Sequence, residues 1–113
     1  MAGLRWIIRN RQQFVAAAAI SLIAVLTIPS AAAETRNENR ALCKDANPEL
    51  SITACTALIE SNHENKSDLA EAFNNRANAY FRMADYDRAI QDYDHAIQFK
   101  PDFAEAFNSR ANA

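Results

Sequence analysis

From about residue 68 onward, the hydrophobic positions of this chain recur at helical spacing. Tyr86, Ala89, Ile90, Tyr93, Ala96 and Ile97 fall at i, i+3, i+4, i+7, i+10 and i+11, with Gln91, Asp92, Asp94, His95 and Gln98 on the other side. That pattern predicts one amphipathic helix. Leu69, Phe73, Ala77, Tyr80 and Ala84 form a second stripe, at i, i+4, i+8, i+11 and i+15, so another helix precedes it. Only a short polar turn around Ala84 and Asp85 separates the two, and Asp85 is placed to accept the orphan N–H groups of the second helix. A connection this short folds as an antiparallel hairpin. Pro101 stops the second helix, and Asp102 with Glu105 three residues later has the spacing of a capping box. Upstream, Asn47-Pro48 reads as a cap with a first-position proline, and Ile52, Cys55, Leu58 and Ile59 supply an apolar stripe behind it. The polar connector 62–67 offers Ser67 as a cap for the helix beginning near Asp68.

The chain then begins to repeat itself. Residues 104–113, AEAFNSRANA, match 70–79 everywhere except at Ser109, which stands in place of Asn75. The period is 34 residues, and periods of roughly 20 to 50 residues mark stacked supersecondary units. Phe73, Ala77 and Tyr80 on the first helix, with Ala89, Tyr93, Ala96 and Pro101 on the second, resemble the tetratricopeptide repeat family. The resemblance covers one full unit and about a third of another, 70–103 and 104–113. It implies small residues where helix backbones approach closest and large ones filling the holes beside them. Ala77 replaces a usual Gly, which is neutral or mildly helix-stabilising, and Arg76 and its copy Arg110 occupy a place that is usually apolar. The expected fold is all-α: antiparallel helical hairpins in a short solenoid, with 41–66 as an N-terminal capping helix region and 67–113 as the repeat region.

The N-terminus adds a compartment. Arg5, Arg9 and Arg11 precede an apolar run of 15 residues, 14–28, and Pro29-Ser30-Ala31-Ala32-Ala33 ends in an A-x-A pattern. Residues 1–33 read as a general export signal cleaved after Ala33, so the expected location of the mature form is periplasmic or secreted. The rival reading, an uncleaved anchor, needs about 20 apolar residues where the run is shorter and closed by Pro29, so no stable membrane insertion is expected after cleavage. Residues 34–40, without an apolar side chain, read as a flexible leader. Cleavage would remove three of the 12 basic residues and none of the 14 acidic ones, and the acidic remainder argues against nucleic acid as a partner. Cys43 and Cys55 both lie beyond the signal, and an even count in a small exported chain favours an intramolecular bond over an intermolecular one or two free thiols.

The candidate chemistry is sparse. His63 and Glu64 are adjacent in a loop but too few to ligate a metal, and both read as solvated. Asp85, Asp87, Asp92, Asp94 and Asp102 lie along a helix rather than in a glycine-containing calcium loop, and the single Gly, Gly3, leaves no phosphate loop. No metal, no cofactor and no enzyme is expected. Glu71, Asn74 or Asn75, Asn78 and Arg82 share a face at i, i+3/4, i+7 and i+11, and Glu105, Asn108 and Asn112 continue it one period later. The resemblance implies that this is the inner face of the spiral, binding a protein or peptide whose backbone the amides can pair with. Asn74 stands where the family's carboxylate-clamping grooves place a Lys, which argues against that subclass. Phe107 and Ala111 have no following helix in the sequence to cover them, so two further expectations arise: a truncated or vestigial piece of a longer repeat protein, or self-association through the incomplete second unit.

Overall fold

The computed structural model of the chain describes residues 31–113, and every element among them is helical. The export-signal reading of 1–33 falls, except for its last three residues, outside the described residues. α1 is Ala31–Leu42, α2 Pro48–Glu60, α3 Lys66–Arg82, α4 Tyr86–Phe99 and α5 Ala104–Asn112. Helices consecutive in the chain pack on one another from α2 onward: α3 against α2 and α4, and α5 against α4. No helix among the described residues is long and apolar enough to cross a membrane.

The ends of these helices follow local chemistry, though not always the expected residue. Asn47 caps α2 as predicted, its side chain accepting from the N–H groups of Glu49 and Leu50, with Pro48 at the first position. Asp85 caps α4 by accepting from the Arg88 N–H. Ser67 does not cap α3. Asn65 does, because the helix starts two residues earlier than Asp68, whose N–H bonds to Asn65 Oδ1 at 2.9 Å. Nor does Asp102 cap α5: Phe103 takes that place with no side-chain hydrogen bond. Between α3 and α4 the chain turns at Ala84, φ 59°, so this last member of the predicted stripe lies in the turn rather than on the helix. The Asp85 N–H returns to Tyr80 O and the Ala84 N–H to Phe81 O, the paired bonds of a Schellman ending. An alanine in this left-handed conformation costs roughly 1 kcal/mol or more relative to glycine.

The main core joins α3, α4 and α5 through Phe73, Ala77, Ala89, Tyr93, Ala96 and Ala106. All six repeat-packing side chains expected on the helices touch it, Tyr80 from a half-buried position, while Pro101 stays exposed in the turn after α4. Phe73 stacks on Phe99 at 5.8 Å and meets His95 at 4.9 Å, so His95 covers the core's edge while its own surface stays wet. A second cluster, Cys43, Ala54, Cys55, Leu58 and Ala72, lies between α2 and α3, and Ile59 packs against both. Cys43 and Cys55 form a disulfide with no free cysteine left over. Closing a loop of this length contributes about 3 kcal/mol by restricting the unfolded chain. Ser51 completes the junction by donating its hydroxyl to Cys43 O at 2.8 Å.

The flexible leader expected over 34–40 is a correction, since α1 spans it. Glu34 in the first turn and Arg40 in the last complement the helix dipole. Arg40 also reaches across the chain to Glu64 and, at 2.8 Å, to Asp68, and the disulfide holds Cys43 three residues on. Glu64 corrects a second expectation. Far from being solvated, its side chain is 1% exposed, because Arg40 closes over it.

Candidate protein-binding face

Helix α3 carries the polar row that the sequence singles out, and the structure divides it. Glu71 and Arg82 are exposed, and Asn75 and Asn78 are half-buried. Asn74 is buried and is corrected as a contact residue: its Nδ2 donates to Glu105 Oε1 at 3.0 Å, tying α3 to α5. Asn78 is likewise engaged inside the fold, where its Oδ1 accepts from the Tyr93 hydroxyl at 2.6 Å. On α5, Glu105, Asn108 and Asn112 are all exposed. The exact sequence copies Asn74 and Asn108 therefore have opposite fates, one spent on an internal bond and the other open to solvent.

The loop between α1 and α2 lies along the α3 row. Arg82 Nη2 donates to Asp45 O at 3.4 Å, Lys44 Nζ stands 4.0 Å from Glu71, and Asn75 Nδ2 lies 4.0 Å from Cys43 Sγ. Two clefts open beside this loop. One is bordered by Arg40, Glu64, Asp68 and Glu71, the other by Asp45, Ser51, Asn78 and Arg82, and both share Cys43, Lys44 and Asn75. The disulfide thus holds the loop against the very row expected to meet a partner.

Sequence patterning missed the pair that locks α3 to α4. Arg76 donates to Asp92 from Nε at 2.7 Å and Nη2 at 2.9 Å, and from Nη1 to Thr56 Oγ1 on α2 at 3.0 Å. One guanidinium therefore fastens three helices. The hydrogen bonds it donates to Asp92 raise the Arg76 pKa above the ordinary arginine value, against the opposing effect of burial. Asp92, placed by its helical position on the solvated side, is buried instead. The signal that could have found it was Arg76 itself, a charge at a place that packs. Its copy Arg110 turns the other way, to Asp94 on α4 at 2.6 Å.

The helical hairpin α3–α4, with a small-residue seam, an aromatic beside it and a proline after it, now has a counterpart among known families. The family model described as Tetratricopeptide repeat matches residues 70–103. That segment is similar to a tetratricopeptide repeat. It starts within α3 and ends at Phe103, so α5 opens the next period of the repeat. Repeats of this family are protein–protein interaction modules in general, and Arg76–Asp92 is this repeat's own internal clasp. No curated protein and no solved structure matches the chain.

Proposed function

We propose that the chain is a non-enzymatic binding module for an extended peptide or protein segment, taken up on the inner face formed by α3 and α5, in the periplasm or outside the cell. The observation that carries the reading is the row of exposed polar groups on these first helices of successive periods: Glu71 and Arg82 on α3, then Glu105, Asn108 and Asn112 on α5. Amides so placed offer both donors and acceptors to a peptide backbone. The basic-then-apolar N-terminus and the Cys43–Cys55 bond support an exported, oxidising location. The test is selection of peptides on the full chain followed by binding assays of the best of them. Replacing Asn108 and Asn112 together by Ala removes two hydrogen-bonding side chains at about 1 kcal/mol each and is expected to weaken binding roughly thirtyfold at unchanged melting temperature. Equal affinity for the double variant and for Arg82→Ala would place the peptide elsewhere.

Phe107 favours a second reading, self-association. It is 40% exposed where its copy Phe73 is 9% exposed beneath α4, and only the Arg110 guanidinium, 5.3 Å from its ring, is placed against it. Sedimentation velocity of the full chain over a hundredfold concentration range is expected to show a reversible dimer that Phe107→Glu abolishes. A monomer throughout that range removes this reading and leaves the first untouched.

A further inference from the structure

The α3 row is not open along its whole length, because the loop 43–47 already lies against it. The base of this loop is fixed at both ends. Cys43 is bonded to Cys55 and its carbonyl accepts the Ser51 hydroxyl, while Asn47 is engaged as the cap of α2. The turn between them is shaped from within: the N–H groups of Lys44 and Asp45 return to Ala41 O and Leu42 O, and the Asp45 carboxylate accepts from the Asn47 N–H at 2.8 Å. None of these bonds involves α3. The contacts that do reach α3 are marginal by comparison. Asp45 O accepts from Arg82 Nη2 at 3.4 Å, and Lys44 Nζ stands 4.0 Å from Glu71 Oε2, with those two side chains 66% and 49% exposed. An ion pair this open to water contributes little to stability. A cleft of about 310 Å³ is left between Lys44 and Asp45 on the loop and Asn75, Asn78 and Arg82 on the row, so the loop overhangs the row without packing onto it.

We propose that this loop is a built-in competitor for the α3 half of the face, holding Glu71 and Arg82 until an extended segment of another chain displaces it. The inference rests on the inner-face binding proposed for α3 and α5. A main-chain carbonyl on Arg82 and a lysyl ammonium beside Glu71 are contacts of the kind a bound peptide makes. Being tethered, the loop returns to them whenever they are empty. Its weakness is geometric. Glu71 and Arg82 stand at i and i+11 on one helix, about 16 Å apart at 1.5 Å per residue. Lys44 and Asp45 are adjacent in the chain and reach these two ends only at the limit of contact. An extended segment spans the same distance in about five residues, so it can set a cation on Glu71 and a carboxylate on Arg82, both in close, charge-assisted bonds. The partner that fits is therefore an extended segment with a basic and an acidic residue about five positions apart.

The experiment follows loop and affinity together in the full, disulfide-bonded chain. Lys44→Gln removes the contact to Glu71, and Ala46→Gly leaves every charge in place while making the ordered loop costlier in entropy. Both positions are exposed, so neither variant is expected to unfold the chain. The probes are acetyl-Lys-Ser-Ala-Ser-Ala-Asp amide and its neutral copy with Gln and Asn at the two ends. The charged peptide is expected to bind both variants severalfold more tightly than the parent, and the neutral copy more weakly throughout. At saturation the Lys44 and Asp45 backbone amides of the parent are expected to shift, in NMR spectra, toward their positions in the free variants. A gain in Lys44→Gln alone overturns the proposal, since it reflects removal of a repelling charge and not release of a loop. Equal affinity for parent and both variants overturns it too. Peptides selected on the chain that depend on Asn108 and Asn112 but leave the loop amides unmoved overturn the competitor alone. Absence of peptide binding by parent and variants alike overturns both the competitor and the inner-face reading.

Discussion

Replacing Asp92 by Ala is expected to lower the unfolding free energy by about 3 kcal/mol, the low end of the range for breaking a buried ion pair by removing one partner. The low end applies because the Arg76 side chain keeps 17% of its exposure, while Asp92 keeps 6%. What makes the effect large is the charge left behind: Arg76 would lose both of its bonds to α4 and keep only the one to Thr56. A core of this size supplies only a few kcal/mol in all, so the variant is expected to be largely unfolded near room temperature, measured as loss of helical circular dichroism and of a cooperative urea transition. The double replacement Arg76→Met with Asp92→Leu tests the cause. Removing both charges takes away their desolvation cost together with their attraction, so that chain is expected to stay within about 1 kcal/mol of the parent. A single variant that melts like the parent would mean that the pair is only a surface contact.

The period of the chain, the two-helix unit and the caps at Asn47 and Asp85 were legible because each depends on residues close together in the sequence. Helical spacing needs only neighbours three and four apart, and a cap needs only the next turn. The failures have a common physical origin. Asp92 and Glu64 were placed in water by local pattern, and each is buried by an arginine distant in sequence, Arg76 from 16 residues away and Arg40 from 24. Burial of a charge is decided by whether a partner arrives, and helical periodicity cannot register a partner on another helix. α1 was hidden for the same reason, its polar sequence offering no apolar stripe. Residues such as Asn74 and Asn108 show the limit from the other side. Their sequence surroundings are nearly identical, yet Asn74 is covered by α5, and Asn108 is not. A repeat pattern says which positions correspond, whereas the role of each copy follows from what the next helix in the stack brings to it.

Tyr93 is the other side chain whose loss the fold should feel most. It is the largest fully buried residue among those described, touching the seam of small residues where α3, α4 and α5 meet. Tyr93→Ala is expected to cost about 3 to 5 kcal/mol by opening a cavity that neighbouring alanines cannot fill. Tyr93→Phe keeps the ring and removes only the bond to Asn78 Oδ1, so about 1 kcal/mol is expected there. The two variants separate packing from hydrogen bonding, and a comparable loss for both would show that the hydroxyl, not the ring, holds this junction. The hydroxyl also makes a pH test. Burial pushes its pKa above the ordinary tyrosine value, and a hydrogen bond to Ser109 opposes that shift less strongly. The folded chain therefore binds this proton more tightly than the unfolded chain. Its contribution is fully present below the ordinary value near pH 10 and is lost as pH rises through the folded value. Melting temperatures from pH 8 to 11 are expected to fall more steeply for the parent than for Tyr93→Phe, in which this titration is absent. Parallel curves would show that the Tyr93 hydroxyl ionises as readily in the folded chain as in the unfolded one.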